Sequence, residues 1–442
     1  MFRFCFAVIL AGLACLPARG QSPVLEGYIR MGVENNLTLI QENLAVQKAR
    51  AEKSKAAGLF LPDVSFQANY TWADGGRTIG FPIGDLLNPV YQALNFPIRL
   101  ENEEIQLLPD EYQETKLQII QPLFNTDIYY NYRAQRDLSD VQEAQRQAYL
   151  NELTKEIRSG YYQYLQTLAV MDIYGETRLV LEEFKRVNQR LFEVNKVTRD
   201  AVSSADYELS QLDQEIAGAE KNRRTAAAYF NFLLNRSLDS PIEVEEPTLS
   251  AEYRTELENA RREALRQRPE LTQLMSAGKA AHHFTNLNKA SFLPKAFVAA
   301  EAGYQGYHYK FDDTQDYWLA RVGLEWNLFN GGRTVAGLQQ ARIEEKRLST
   351  RREELEQQIQ LQVINAYYTL EAAQKSLEAA RKGEIAAQER FRIVQRKYQE
   401  GQAAQIEFLD ARSKFTTARL SRAIARYTWL IRQAELQRAI GN

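Results

Sequence analysis

The chain is two copies of one half. Leu61 and Pro62 recur as Leu293 and Pro294, and the same shift of 232 carries Leu39 onto Leu271 and Ala45 onto Ala277. Leu123, Phe124 and Asn125 recur as Leu328, Phe329 and Asn330 at a shift of 205, so the first copy holds 27 more residues between these landmarks. Further on, Tyr161 and Tyr162 fall on Tyr367 and Tyr368, Ala205 on Ala411 and Asn235 on Gly441, at a shift of 206. A period this long exceeds the 20 to 50 residues of solenoid units. It implies a duplicated half-protein: a first repeat over 21–236, a link over 237–250 containing Pro241 and Pro247, and a second repeat over 251–442. Each half reads helix, strand, strand, long helix, helix.

The formal charge of −2 makes no case for a nucleic-acid partner. Arg3 precedes an apolar run from Phe4 to Leu16, and Ala18-Arg19-Gly20 forms a small-x-small cleavage signal. Residues 1–20 therefore read as a secretory signal peptide, its apolar run shorter than a spanning helix. Cys15 follows Gly12-Leu13-Ala14, which partly matches a lipoprotein box, so lipidation of Cys15 is the alternative to cleavage after Gly20. Cys5 and Cys15 are the only cysteines; cleavage after Gly20 leaves none for disulfides.

Past Pro62 the residues alternate. Val64, Phe66, Ala68, Tyr70 and Trp72 share one face, and Ser65, Gln67, Asn69 and Thr71 the other. Val298, Ala300, Ala302 and Tyr304 repeat the apolar face opposite Glu301 and Gln305; Leu117 and Ile119 fall on the matching face. Trp318, Ala320, Val322, Leu324 and Trp326 alternate with Leu319, Arg321, Gly323, Glu325 and Asn327. The expected strands are 62–73, 113–124, 294–309 and 316–328. Two hairpins of a soluble sheet would show the same alternation. Strand length near ten residues and tryptophans at both ends of the last strand favour a transmembrane sheet. Four strands cannot close a barrel and open edges are not tolerated in lipid, so two or three chains would have to share one. On that reading Glu301, Arg321 and Glu325 face the lumen. The connection over 74–112 carries Pro82, Pro89, Pro97 and Pro109, which are expected to exclude helix; the second connection is a turn over 310–316.

No proline interrupts residues 127–194, where Leu150, Leu153, Ile157, Tyr161, Tyr164, Leu168 and Met171 recur at spacings of three and four. One long helix is expected there, about 100 Å at 1.5 Å per residue, and another over 334–398 with Leu355, Ile359, Val363, Tyr367 and Leu370 as its seam. Helices over 200–236 and 403–440 return antiparallel, and single helices near 25–60 and 251–291 lead into the strands. A narrow seam with polar flanks suits a hollow helical wall. A rod-like periplasmic coiled-coil scaffold without channel activity is the alternative.

This layout resembles the TolC family of outer-membrane efflux and secretion channels, across residues 25–442. The landmarks are Asn36-Leu37, Arg268-Pro269-Glu270-Leu271, the two Leu-Pro pairs, Asn327-Leu328-Phe329-Asn330-Gly331-Gly332, and Tyr398-x-x-Gly401 followed by Phe408-Leu409-Asp410-Ala411. The resemblance implies a mainly α chain with a transmembrane β part: a long antiparallel α-helical tunnel, and four strands contributed to a shared 12-stranded barrel in a homotrimer. It implies a passive duct of a tripartite efflux or type I secretion system in the outer-membrane lipid. An inner-membrane pump and a periplasmic adaptor (membrane fusion) protein would complete it, with no cofactor and no nucleic acid. Two turns would meet the adaptor, at Asn195, Lys196 and Val197 and at Gly401, Gln402 and Ala403. Glu407 and Asp410, on one helix face at i and i+3, would form the pore constriction together with Tyr398. Lys196 departs from the family's apolar residue, and Ala403 and Ala201 stand where an Arg and an Asp usually help close the mouth. Arg199 and Asp200 are candidates to substitute.

No enzyme is indicated. His282 and His283 are adjacent on a helix and diverge by about 100°, which excludes joint ligation of one ion without a distant partner. Gly331-Gly332 follows a strand but matches neither GxGxxG nor GxxxxGK[ST].

Overall fold

The computed structural model describes residues 22–108, 111–247 and 256–441. The expected signal peptide with Cys5 and Cys15, and the last part of the link, lie outside the described residues. The order is α1 (Pro23–Asn35), α2 (Leu37–Gly58), β1 (Asp63–Trp72), β2 (Thr78–Phe81), α3 (Ile83–Ala93), β3 (Glu103–Gln106), β4 (Glu111–Phe124), α4 (Thr126–Glu193) and α5 (Arg199–Leu233). The second repeat follows as α6 (Leu257–Gln267), α7 (Pro269–Ala290), β5 (Lys295–Gly306), β6 (Asp316–Glu325), α8 (Arg333–Gln399) and α9 (Gln405–Ile440). The shift of 232 maps α2 onto α7, and the shift of 206 carries the end of α4 and the start of α5 onto those of α8 and α9. Contacts divide the chain into two compact units. One holds Lys48–Ser139 and Ser276–Ser349; the other holds the residues up to Gln47, Asp140–Met275 and those from Thr350 onward.

The sheet belongs to the first of these units. Its order is β1-β4-β5-β6, antiparallel throughout, with β1 and β6 as edges. Pairing aligns Val64 with Ile119, Ala300 and Ala320, and Phe66 with Leu117, Ala302 and Trp318. The apolar positions read from the sequence thus form one face across all four strands. That face is open: Phe66 is 70% exposed and Val322 78%. Strands β5 and β6 end earlier than expected. Pro294 cannot donate to the ladder, so pairing stops at Lys295 with Glu325. At the other end Gly306 and His308 adopt positive φ.

The connection over 74–112 departs from expectation, because it contains a helix. Pro82 sits at the N-cap of α3, where its missing N–H costs nothing, and Pro89 lies inside the helix. The lost ladder bond is offset by Asn88, whose side chain donates to Leu100 O (2.7 Å) and accepts from Leu100 N (2.8 Å). Asn102 accepts from Asp85 N (3.0 Å) at the helix start. Hairpin β2–β3 closes this excursion.

The leading helices also differ from expectation: each is two helices, broken at Asn36 and at Arg268. Asn36 is extended, and its carboxamide oxygen accepts from Thr38 N and Leu39 N, both at 3.1 Å, capping α2. Arg268 precedes Pro269, whose ring forces it out of helical geometry. The two breaks are equivalent under the shift of 232. Their bonds are equivalent too: Asn36 donates to Leu233 O (3.0 Å) and Arg268 to Ala439 O (3.1 Å), and the shift of 206 carries Leu233 onto Ala439.

The helical unit packs around Leu25, Leu153, Ile157, Tyr161, Phe230 and Leu234 on the first-repeat side and Ile359, Leu436 and Ile440 on the second. Each fully buried aliphatic side chain contributes about 1.5–3 kcal/mol. Gly32 is required here, since a Cβ would lie 2.3 Å from Ile157 Cδ1. The link segment docks on this core, with Tyr28 Oη accepting from Glu243 N (2.7 Å) and Tyr161 Oη from Glu245 N (2.9 Å).

Candidate functional site

Helices α4 and α8 end in matching turns. Asn195 (φ +55°) and Gly401 (φ +72°) are equivalent and left-handed. The next residue closes the same bond in each, Lys196 N to Leu191 O (2.8 Å) and Gln402 N to Lys397 O (2.7 Å). Lys196 and Gln402 are exposed, while Val197 and Ala403 are half-buried.

Behind the turns lies a second apolar cluster of Phe184, Ala205, Phe391, Phe408 and Ala411. Tyr398 belongs to its edge. Its ring stacks on Phe408 at 5.0 Å, and its hydroxyl donates to Asn188 Oδ1 (2.9 Å). Burial raises the Tyr398 pKa, so the proton that makes this bond is kept. Asn188 in turn is fully buried and donates to Phe184 O. Further bonds tie the hairpins: Gln405 Nε2 to Ala201 O (3.3 Å), and the ion pair of Arg412 on α9 with Glu208 on α5, both largely buried. Arg199 and Asp200 are exposed. The ties run through Tyr398, Gln405 and Arg412 instead.

The two acids differ. Asp410 lies between Arg390 of α8 (2.8 Å) and Lys414 one turn on (2.9 Å). The bond from Lys414, then the charges of Lys414 and Arg390, hold its carboxyl below the ordinary range. Glu407, in the first turn of α9, is exposed and has no cationic partner among the described residues. The spacing of Asp410 and Lys414 is an i, i+4 pair visible in the sequence. Arg390, Asn188 and the Arg412–Glu208 pair could not be found that way, because they depend on the register between helices.

In the sheet, the face opposite the apolar one carries Ser65, Gln118 and Glu301 in one row and Gln67 and Lys116 in the next. Lys116 pairs with Glu114 (2.8 Å) and Glu301 (3.4 Å), and Tyr317 reaches Glu114. Arg321 and Glu325 share this face and are exposed, opposite Ala299 and Lys295. The histidines each meet a carboxylate: His282 with Glu345 (2.9 Å), His283 with Asp137 (3.3 Å) and His308 with Glu111 (2.9 Å). Among the described residues no group of three His, Cys, Asp or Glu is placed to hold a metal ion.

A sheet open on one apolar face, repeated helical hairpins and matched turns are the features to set beside known proteins. Residues 260–442 match the family model described as outer membrane efflux protein. That match lies within the second repeat and covers less than half of the chain. The chain is 28% identical over 252 residues to the alkaline protease secretion protein AprF of Pseudomonas aeruginosa, covering 52% of this chain and about half (49%) of that relative. Its fold matches the outer-membrane channel OprN (TM-score 0.80, 16% identity, 95% of this chain and 90% of that one). It also matches CusC (0.80, 17%, 96% and 93%) and VceC of Vibrio cholerae (0.78, 16%, 95% and 96%).

Proposed function

We propose that three copies of this chain form a passive duct across the outer membrane, serving a tripartite efflux or type I secretion system. The observation that carries this reading is the four-stranded sheet with two free edges and one exposed apolar face. Such a sheet is stable in lipid only when closed by other copies. In the closed barrel the apolar face meets lipid, and Glu301, Arg321 and Glu325 face water. Glu407 and Asp410 stand at the narrowest point, with Tyr398 holding the helix ends behind them. The turns at Asn195, Lys196 and Val197 and at Gly401, Gln402 and Ala403 receive a periplasmic adaptor, which joins the duct to an inner-membrane pump. The secretion role in the name of AprF favours export of protein among the possible cargoes, since the pump chooses the cargo and the duct sets only limits of size and charge.

Detergent extraction followed by mass measurement tests the reading. A trimer released only by detergent is expected; a soluble monomer in the periplasm would return the lead to the scaffold. Val322→Arg, at a cost of about 2–4 kcal/mol in the bilayer midplane, should block insertion, whereas Glu325→Lys should leave the trimer intact. Equal damage from both would refute the assignment of the two faces.

A further inference from the structure

The excursion between β1 and β4 exposes an apolar stripe that its own chain does not cover. Helix α3 turns Gly84, Asn88 and Tyr91 inward, and outward it presents Leu86 (69% exposed) and Val90 (50%), continued at its C-cap by Leu94 (62%). The excursion is built, not slack. A Cβ on Gly84 would lie 2.4 Å from Leu100 O, Asn88 bonds Leu100 twice, and Leu107 N donates to Arg77 O (2.9 Å). Exposed apolar surface on an ordered element marks an interaction site.

Three observations identify what covers it. A narrow apolar strip of Leu86, Leu87, Val90 and Leu94, repeating at about one turn, fits another helix of the same kind better than a flat surface. Residues 73–108 carry five carboxylates (Asp74, Asp85, Glu101, Glu103 and Glu104) against two guanidiniums (Arg77 and Arg99), which disfavours an anionic lipid headgroup surface. The excursion also leaves the sheet from Trp72, at the end of edge strand β1, which barrel closure brings against β6 of the next copy. Every excursion is therefore continuous with an inter-chain seam.

We propose that α3 of each copy packs along this stripe against α3 of its neighbours, forming a homotypic helical cluster at the outer end of the duct. This rests on the three-chain barrel proposed above. The 27 residues that distinguish the first repeat then serve association and narrowing of the exit.

The test is oxidative cross-linking in intact cells of the full chain carrying Leu86→Cys or Val90→Cys. Gln92→Cys, on the polar flank of the same helix, is the control. The unsubstituted chain, whose cysteines are confined to positions 5 and 15, gives the blank. The expected result is conversion of up to about two thirds of the monomer band to covalent dimer for Leu86→Cys and Val90→Cys, since three chains with one cysteine each can form one pair, and full retention of the monomer for Gln92→Cys. Free labelling of both stripe positions by a membrane-impermeant maleimide, without cross-linking, would overturn the proposal by showing the stripe open to water. Protection from label without cross-linking would overturn it in favour of lipid or another protein. Mass measurement on the same detergent extract separates the two readings: a trimer without cross-links sinks only the helical cluster, and a monomer sinks the barrel with it.

Discussion

The two helical hairpins, α4–α5 and α8–α9, share a backbone but not a charge pattern. Under the shift of 206, Asp206 and Glu208 of α5 fall on Arg412 and Lys414 of α9, so equivalent positions carry opposite signs. Ala201 and Ser204 fall on Glu407 and Asp410, and the buried Phe184 falls on the half-exposed Arg390. The turns, by contrast, kept their left-handed residue and their closing bond. Duplication thus supplied two interchangeable frames, and divergence made them complementary. The Arg412–Glu208 pair forms because α9 is basic at 412 and 414 where the equivalent positions of α5, 206 and 208, are acidic. The acids expected at the pore stand in only one of them.

The two helix breaks offer the strongest contrast between the copies. Arg268 is 4% exposed and holds Glu270, Gln362 and Ala439 O, whereas Asn36 makes neutral bonds only. Arg268→Ala leaves the part-buried Glu270 with Arg438 alone and strips Gln362 and Ala439 O of a charged donor, so urea unfolding should report a loss of about 1.5–3 kcal/mol. Asn36→Ala should lose about 1–2 kcal/mol, the worth of an N-cap. Equal losses would mean that the two breaks are held alike. The contrast also has a pH signature. Burial opposes the charge of Glu270, yet the bonds from Arg268 and the field of Arg438 keep its pKa below the ordinary value. A depressed carboxylate contributes stability above its unfolded pKa and loses it as pH falls through the folded one. The gap between wild type and Arg268→Ala should therefore shrink as the pH is lowered below the ordinary carboxylate range. A gap that stayed constant down to full protonation would exclude Glu270 as its source.

Charge reversal probes the complementarity next. Arg412→Glu or Glu208→Arg places like charges together in a largely buried site. Each should loosen the tie between hairpins and raise single-channel conductance in planar bilayers. The double exchange should restore the wild-type value. If it does not, the pair is incidental to closure, and Gln405 and Tyr398 carry the tie.

Much of this was legible in the sequence. Alternation over Val64–Trp72 and 318–326 defined the sheet and its faces, because a period of two leaves no other way to gather those side chains. The seam of Ile157 and Tyr161 did the same for α4. Asn36 hid its break, since Asn is tolerated both within a helix and at its cap, and only the burial of its side chain against Leu233 O decides. Helix α3 was missed because two prolines weigh heavily against a helix when read alone, while Asn88 and Asn102, which offset them, act across a loop. The partners of Asp410 were half legible: Lys414 lies one turn away on the same helix, but Arg390 arrives from another.

That half-legible site gives the smallest and sharpest expected effect. Each chain brings Glu407 and Asp410, but Asp410 sits between Arg390 and Lys414, so Glu407 is the acid whose charge stands uncompensated. Glu407→Gln should therefore lower cation preference, read as the reversal potential in a salt gradient across a planar bilayer. Arg390→Gln should raise it although no acid is touched, because Asp410 then keeps only Lys414. The double variant Arg390→Gln/Asp410→Asn removes a cancelling pair and should sit at the wild-type potential, with the trimer intact in all three since no apolar seam residue changes. Exposed pairs of this kind are screened by solvent and add little to stability, so unfolding should not register them. Their effect on permeation depends on where the charges stand, not on how strongly they bind each other. Should Arg390→Gln leave the reversal potential where it was while Glu407→Gln shifts it, Glu407 alone lines the constriction and the Asp410 cluster faces elsewhere. Should neither move it, the narrowest point lies away from the start of α9, and the acids there are solvated side chains on a helix face.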